Sequence, residues 1–130
     1  MKILFISHSS LATGSERVLA DIINSRINSD KCYVSMPKGK RDDLTSIINN
    51  CIKIKLYYKN VSTSNLKSLI CCLYNLPSLI YLSIFLIIKK IDLIYVNTSV
   101  NLLGVLLCLI LKKNVVFHIH EQPNTNIKVI

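Results

Sequence analysis

Short, strongly apolar segments alternate along this chain with longer segments that have the periodicity of helices. A short apolar run bounded by polar loop residues is typical of a buried strand, whereas apolar residues repeated at three- and four-residue spacing predict an amphipathic helix. Proline inside a helix removes a backbone hydrogen bond, so Pro77 predicts a break in the longest apolar segment. The predicted strands are residues 2–7, 31–37, 51–58, 92–97 and 114–119, and the predicted helices are residues 14–29, 41–50, 65–75, 78–90 and 99–113.

This alternation predicts the fold class. Strands that are apolar on both faces, with helices between them, are typical of a parallel sheet covered by helices on both sides. We therefore expect an α/β, Rossmann-like fold with strand order 3-2-1-4-5, in which the strand at 51–58 is an outer strand. At 130 residues the chain has the size of a single domain, residues 1–130.

Polar residues follow three of the predicted strands at the point where each strand ends. Ligands of open α/β sheets bind at the carboxyl ends of the strands, near the switch point in strand order. Because the first, fourth and fifth strands are neighbours in the expected order, Gly14, Asn97 and His120 are expected to line one crevice. The three polar clusters are Ser7-His8-Ser9-Ser10 with Gly14, then Asn97-Thr98-Ser99, and finally His120-Glu121.

The spacing of Thr13 and Glu16 is that of a capping box, which predicts that the first helix begins at this point. Glu16 is accordingly interpreted as a helix cap. Gly104, within the apolar helix predicted at 99–113, indicates close packing of that helix.

Basic residues outnumber acidic ones by 16 to 7, which gives a net charge of +9 and favours anionic partners. They are dispersed in pairs and triplets beside apolar segments, for example Lys38/Lys40/Arg41 and Lys89/Lys90. No recognised nucleic-acid-binding motif accompanies them. We therefore expect an anionic membrane surface as a partner, and no nucleic acid.

The segment at residues 69–88 has no charged residue and is long enough to cross a bilayer. Three interpretations stay open, which are a spanning helix, shallow docking on a membrane surface and burial within the fold. Asn75 and Pro77 interrupt the segment, and the strand that follows has to return to the sheet of the first strand. Both features argue against a spanning helix.

The five cysteines include no C-x-x-C pair, which indicates small buried side chains in a reducing compartment. The apolar stretch after Met1 is too short for a signal peptide, so we expect a cytoplasmic location, extending to the inner face of the membrane. His118 lies within a predicted strand and is interpreted as structural, whereas His120 follows the strand and is interpreted as a binding residue. A metal site is not expected, because the pair lacks further ligands downstream.

Three motifs, in this order, resemble the retaining glycosyltransferases of family 4, which have the GT-B fold. "MKILFISHSS…GSERVLADII" is similar to their first strand, glycine-containing loop and helix start. "DLIYVNTSVNLLG" resembles their fourth strand, and "NVVFHIHE" resembles their fifth strand, which ends in His-Glu or His-Asp. The resemblance covers essentially the whole chain. One departure is that Thr13-Gly14 stands where many members have a pair of glycines.

The resemblance implies two Rossmann-like domains that face each other across a cleft. The N-terminal domain mainly holds the acceptor, and the C-terminal domain holds the nucleotide-sugar donor. These 130 residues would be the acceptor-side domain without the donor domain, so we expect a truncated chain that is inactive alone.

The resemblance also implies a role for each residue of the predicted crevice. His120 is the candidate catalytic residue, which would contact the transferred sugar or the leaving phosphate. The donor's diphosphate or sugar would lie against the loop of Thr13, Gly14 and Ser15. No metal or other cofactor is required, because the nucleotide sugar is a substrate. The candidate substrate-binding residues are His8, Ser9, Asn97, Thr98 and Glu121.

The expected function is therefore transfer of a sugar from a nucleotide-sugar donor to a glycolipid or growing polysaccharide. Two alternatives remain, a non-catalytic Rossmann-like binding module and a small membrane-associated protein.

Overall fold

A computed structural model describes residues 1–26, 28–57, 65–97 and 102–119. The described part of the chain forms five strands and four helices in alternation. The alternation is as the sequence pattern predicts, but one helix stands where two were expected between the third and fourth strands. Their bounds are β1 (Lys2–Ile6), α1 (Gly14–Arg26), β2 (Lys31–Pro37), α2 (Asp43–Ile47), β3 (Ile52–Leu56), α3 (Asn65–Lys89), β4 (Leu93–Asn97), α4 (Leu102–Leu111) and β5 (Asn114–His118).

The strands form one parallel sheet in the order β3-β2-β1-β4-β5, which confirms the predicted topology with β3 at an edge. The chain runs outward from β1 through β2 to β3, and then crosses back to place β4 on the other side of β1. Leu4, in the middle of β1, lies opposite Tyr33 of β2 and Ile94 of β4. The switch point in strand order therefore lies between β1 and β4.

Two hydrophobic cores, one on each face of the sheet, hold the helices in place. Successive side chains of a strand point to opposite faces, and β1 shows this directly. Ile3 and Phe5 pack with Leu19 and Ile23 of α1, whereas Leu4 and Ile6 belong to the other core. That second core contains Leu79, Leu82 and Leu86 of α3 and Leu107 of α4. The helices thus cover both faces, as expected from strands that are apolar throughout.

Helix α4 packs closely against β4 at Gly104. A Cβ added at Gly104 would lie 2.7 Å from Cγ1 and 2.9 Å from Cγ2 of Val96, closer than real Cβ contacts. Val96 is fully buried. The glycine is therefore required for this close approach, as its place in an apolar helix indicates.

Pro77 does not divide the long apolar segment, so the expectation of two helices is wrong. Residues 65–89 form the single helix α3, with Pro77 inside it. Buried positions on both sides of the proline face the sheet, namely Asn75, Ser78, Leu79, Leu82 and Leu86. Packing of this continuous stripe holds the helix together and outweighs the hydrogen bond that the proline removes.

The rest of α3 is apolar and exposed. An 18-residue stretch, Cys72–Lys89, has a mean hydropathy of 1.6 and is long and apolar enough to cross a membrane by length and composition alone. Only 28% of that stretch is buried, because one side of the helix packs on the sheet and the remainder does not. The opposite side therefore presents large apolar side chains to the surroundings.

Candidate functional site

The loop that joins β1 to α1 begins at the carboxyl edge of the central strand. The backbone N–H of Ser7 donates to the carbonyl oxygen of Ser35 in β2 at 2.9 Å, which extends the strand pairing by one residue. The hydroxyl of Ser7 then donates to the carbonyl oxygen of Ser9 at 2.8 Å. These contacts hold the chain in a compact turn directly after the strand, so small hydroxyl residues at this point serve the turn itself.

Helix α1 begins where the Thr13–Glu16 spacing predicts. The N–H of Arg17 donates to the carbonyl oxygen of Thr13 at 2.9 Å, and Gly14 is the first helical residue. Among the described residues, and apart from the backbone of α1 itself, nothing lies within 4 Å of a Cβ added at Gly14, and the residue does not have a positive φ. Neither packing nor backbone conformation of the described residues therefore requires glycine here. The position leaves open space beside the first backbone N–H groups of a helix.

Glu16 is the centre of a buried polar cluster. Its side chain has 0% exposure, and its Oε1 lies 2.8 Å from Nδ1 of His8. Oε2 accepts hydrogen bonds from the hydroxyls of Thr13 and Ser15, the latter at 2.8 Å. Three of the predicted site residues thus converge on one carboxylate, which ties the loop after β1 to the first turn of α1.

These contacts determine the protonation state of Glu16. Burial alone would raise its pKa, but the hydrogen bonds from His8, Thr13 and Ser15, with the charge of His8, outweigh burial and lower the pKa to about 2. Glu16 is consequently ionised at neutral pH. The carboxylate is more than the helix cap that the sequence predicts, because it also fixes the imidazole of His8 at the edge of the loop.

Asn97 connects this cluster to the neighbouring strand. It is the last residue of β4, is fully buried, and its Nδ2 lies 3.5 Å from the carbonyl oxygen of Ser15. The structure therefore brings together His8, Thr13, Gly14, Ser15 and Asn97 at the switch point between β1 and β4, and Ser9 lies in the same loop. These residues are therefore neighbours in the fold, as expected, and their role in binding stays a prediction.

The remaining predicted residues, Thr98, His120 and Glu121, lie outside the described residues. β5 pairs with β4 in parallel, with His118 opposite Asn97. Nδ1 of His118 lies 2.5 Å from the hydroxyl of Tyr95, so this histidine has a partner within the sheet, in agreement with its interpretation as structural.

A cavity of about 560 Å³ lies at the same edge of the sheet, at the ends of β2 and β3. Its rim carries Lys38, Lys55 and Tyr57, and α3 supplies its apolar wall. Gly39 follows Lys38, and a Cβ there would lie 2.7 Å from Oγ of Ser10. The cavity therefore adjoins the β1–α1 loop, on the side away from Asn97.

Sequence reasoning did not identify this cavity or the pairing of His8 with Glu16. The cavity joins residues that are far apart in the chain, and the only sequence signal for it was the pair of basic clusters around Lys38 and Lys55. The His8–Glu16 contact crosses a loop and follows no helical or strand periodicity.

Comparisons with known proteins support the fold. No protein-family model matches the chain, and no curated protein matches it in sequence. Among solved structures, Anabaena Alr3699/HepE in complex with UDP and glucose is similar at a TM-score of 0.62 and 22% identity, over 93% of this chain. The same protein in complex with UDP-glucose is similar at a TM-score of 0.60 and 22% identity. The chain spans about 30% of the length of that protein, and the likeness confirms the α/β, Rossmann-like fold.

Proposed function

We propose that this chain provides the N-terminal, acceptor-side domain of a retaining GT-B glycosyltransferase similar to family 4. In that reaction a sugar passes from a nucleotide-sugar donor to a glycolipid or polysaccharide acceptor, without a metal or other cofactor. The observation that carries the proposal is the convergence of the Gly14 loop and Asn97 at the switch point of the sheet. A shared fold with a protein whose crystal structure holds UDP-glucose supports it.

The geometry suits a ligand rich in oxygen atoms. The open space at Gly14 lets a phosphate or sugar oxygen approach the first N–H groups of α1, where the helix dipole is positive. The carboxylate of Glu16 is already satisfied by Thr13, Ser15 and His8, so it orients the loop and leaves the backbone donors to the ligand. By the resemblance, His120 is the catalytic residue of the proposed site, and Thr98 and Glu121 are further substrate-binding residues.

Binding of UDP-glucose to the chain tests the donor-side part of the proposal. We expect calorimetry to give a Kd of the order of 1 mM for UDP-glucose and for UDP, and weaker binding of glucose alone, because the donor domain contributes the remaining contacts. Gly14→Ala should weaken UDP-glucose binding about tenfold, because the added methyl occupies the space that the ligand needs.

The matched control is Asp21→Ala, an exposed position about two turns further along α1 than Gly14. It should leave both binding and folding unchanged. Gly14→Ala should also leave the free energy of unfolding within about 1 kcal/mol of the parent protein, since no described atom lies near the new methyl. Equal binding of UDP-glucose by parent and Gly14→Ala proteins would remove the loop from the proposed site.

The coding DNA beyond codon 130 distinguishes a transferase from a binding module. A GT-B glycosyltransferase has a second Rossmann-like domain for the donor, which would come from the same reading frame or from a partner chain. A continuing frame with two glutamates eight positions apart, the spacing of the paired-glutamate motif implied by the resemblance, supports the transferase. A chain that ends here and binds UDP-glucose without any partner domain supports the non-catalytic module instead.

The proposal includes a cytoplasmic location against the inner face of the membrane. The net charge of +9 and the exposed apolar side of α3 support it, because anionic lipid attracts basic proteins that carry an apolar surface.

A further inference from the structure

The cavity at the ends of β2 and β3 combines a cationic rim with an apolar wall. Lys38 and Lys55 lie at the rim, and Leu56 and Leu73 contribute apolar surface. Tyrosine side chains also line it, namely Tyr57 after β3 and Tyr74 and Tyr81 of α3, together with Pro77 and Ser78. A volume of about 560 Å³ lies in the usual range for small-molecule sites, and this lining suits an amphiphile with an anionic head.

Lys38 is the cation best placed to hold that head. Its Nζ lies 4.5 Å from the centre of the Tyr57 ring, which orients the ammonium group at the rim. Lys55 is paired with Asp42 at 2.5 Å, so its charge is partly compensated. Within the described ranges, no carboxylate lies within ion-pair distance of Lys38. An incoming phosphate would meet an uncompensated charge at this position.

An exposed apolar stripe leads away from the cavity along α3. Leu73, Pro77, Tyr81, Ile84 and Ile88 follow one another at three- and four-residue spacing, so they lie on one side of the helix. Tyr81 belongs both to this cavity and to a smaller depression formed with Ile84 and Ile88, which makes the stripe continuous. From Leu73 to Ile88 the stripe is roughly 22 Å long, since each helical residue advances 1.5 Å. That length matches a long lipid chain, and Lys89 lies at its far end.

We propose that this cavity binds the phosphate head of a membrane lipid, whose chain lies along the apolar stripe of α3. The inference specifies the acceptor of the proposed function, because it identifies the bound lipid phosphate with that acceptor. This identification rests on the proposed function. The position supports this identification. An adjoining depression shares Lys38, Lys55 and Tyr57 with the cavity and also includes Gly39. A Cβ added at Gly39 would lie 2.7 Å from Oγ of Ser10, so a head group held by Lys38 lies near the loop proposed to hold the donor.

Co-sedimentation with vesicles tests the inference. The two compositions are phosphatidylcholine with dioleoyl phosphatidic acid, and phosphatidylcholine with dioleoyl phosphatidylglycerol at equal surface potential. Both carry the same chains, but only phosphatidic acid presents a terminal phosphate. We expect about tenfold tighter binding to the phosphatidic acid vesicles, and a loss of that preference in Lys38→Gln.

Two matched controls separate the site from general attraction. Lys31→Gln removes the same charge from the other end of β2, where Lys31 likewise lies over a tyrosine ring, and should keep the preference. Leu73→Ser, at 63% exposure, should weaken binding to both vesicles, whereas Leu109→Ser on α4, at 71% exposure, should not. Neither change removes a buried contact, so both variants should fold.

Four results would overturn the inference. The first is equal binding to the two vesicles, and the second is an equal effect of Lys31→Gln and Lys38→Gln. The third is that glycerol phosphate in solution competes as well as the lipid does. The fourth is a dimer of the parent protein that Leu73→Ser abolishes. The third would assign the cavity to a soluble phosphate and the fourth would assign the stripe to a second copy of the chain. Absence of binding of the parent protein to either vesicle, with UDP-glucose binding retained, would also overturn the inference and would leave the proposed donor-side site intact.

Discussion

At the scale of single residues, Glu16 links folding to the candidate site. A buried carboxylate is stable only when hydrogen bonds or opposite charge replace the water that it loses. His8, Thr13 and Ser15 provide those partners here, and all three come from the loop and helix turn that form the site. The same contacts that stabilise the ionised Glu16 therefore fix the shape of the β1–α1 loop.

This arrangement predicts a specific pH dependence of stability. Because folding lowers the pKa of Glu16 from 4.5 to about 2, its contribution to the free energy of unfolding is complete above pH 4.5. The contribution is lost as the pH falls through about 2, and amounts to about 3 kcal/mol. Urea unfolding of the parent protein and of Glu16→Gln, between pH 6 and pH 2, measures it.

Glu16→Gln serves as the internal control, because glutamine keeps the shape of the side chain and does not titrate. The difference in unfolding free energy between the two proteins should shrink as the pH falls, while other carboxylates such as Asp30, whose pKa is also lowered, affect both proteins alike. Two curves that stay parallel down to pH 2 would contradict the assignment of the ionised carboxylate as a stabilising group.

At the scale of secondary structure elements, the position of α4 depends on Gly104. The helix approaches β4 so closely that any side chain at this position meets Val96. Asn97, the candidate site residue at the end of β4, is adjacent to Val96 in sequence, so the packing of α4 affects the position of the candidate site.

Gly104→Ala should lower the free energy of unfolding by about 1–3 kcal/mol, because the methyl group overpacks the contact with Val96. Val96→Ala alone should also destabilise the protein by removing buried methyl groups. The double variant should be more stable than the sum of the two changes predicts, by about 1 kcal/mol, because the methyl group added at position 104 fills the space left by the methyl groups removed at position 96. Additive effects in urea unfolding would show that the helix does not make this close contact.

Helix α3 shows where reasoning from the sequence fails at this scale. The rule that proline breaks a helix is local, but Ser78, Leu79 and Leu82 after the proline and Asn75 before it all face the sheet. Packing of both halves of the segment on the same sheet keeps them in one continuous helix. No local signal in the sequence contains that information, because it depends on where the strands lie.

At the scale of the whole molecule, the strand order could be predicted from the sequence. The contacts at the carboxyl edge of the sheet could be predicted only in part. Apolar strands such as Ile3–Ile6 and Leu93–Val96 alternate with helices, and parallel pairing with right-handed crossovers leaves few possible topologies. Polar clusters at strand ends then indicate which edge carries the site, which is how Gly14 and Asn97 were identified. The partnership of His8 with Glu16 and the cavity around Lys38 depend on loop geometry and on tertiary contacts, which periodicity does not encode.

The two proposed binding sites lie on different parts of the carboxyl edge of the sheet. The β1–β4 side carries the loop proposed for the donor, and the β2–β3 side carries the cavity proposed for a lipid phosphate. Ser10 and Gly39 join the two sides. A donor and an acceptor bound in this way would lie next to each other, as a transfer reaction requires.

The central claim is that the Gly14 loop and Asn97 form one ligand site at the switch point. Titration of the ¹⁵N-labelled protein with UDP-glucose, followed by NMR chemical shifts, tests it most directly. We expect the largest shift changes at the backbone amides of Gly14 and Ser15 and at the side-chain amide of Asn97, with no change at Lys31 or Asn114 on the opposite edge of the sheet. Changes centred on that opposite edge, or none at millimolar UDP-glucose, would contradict it.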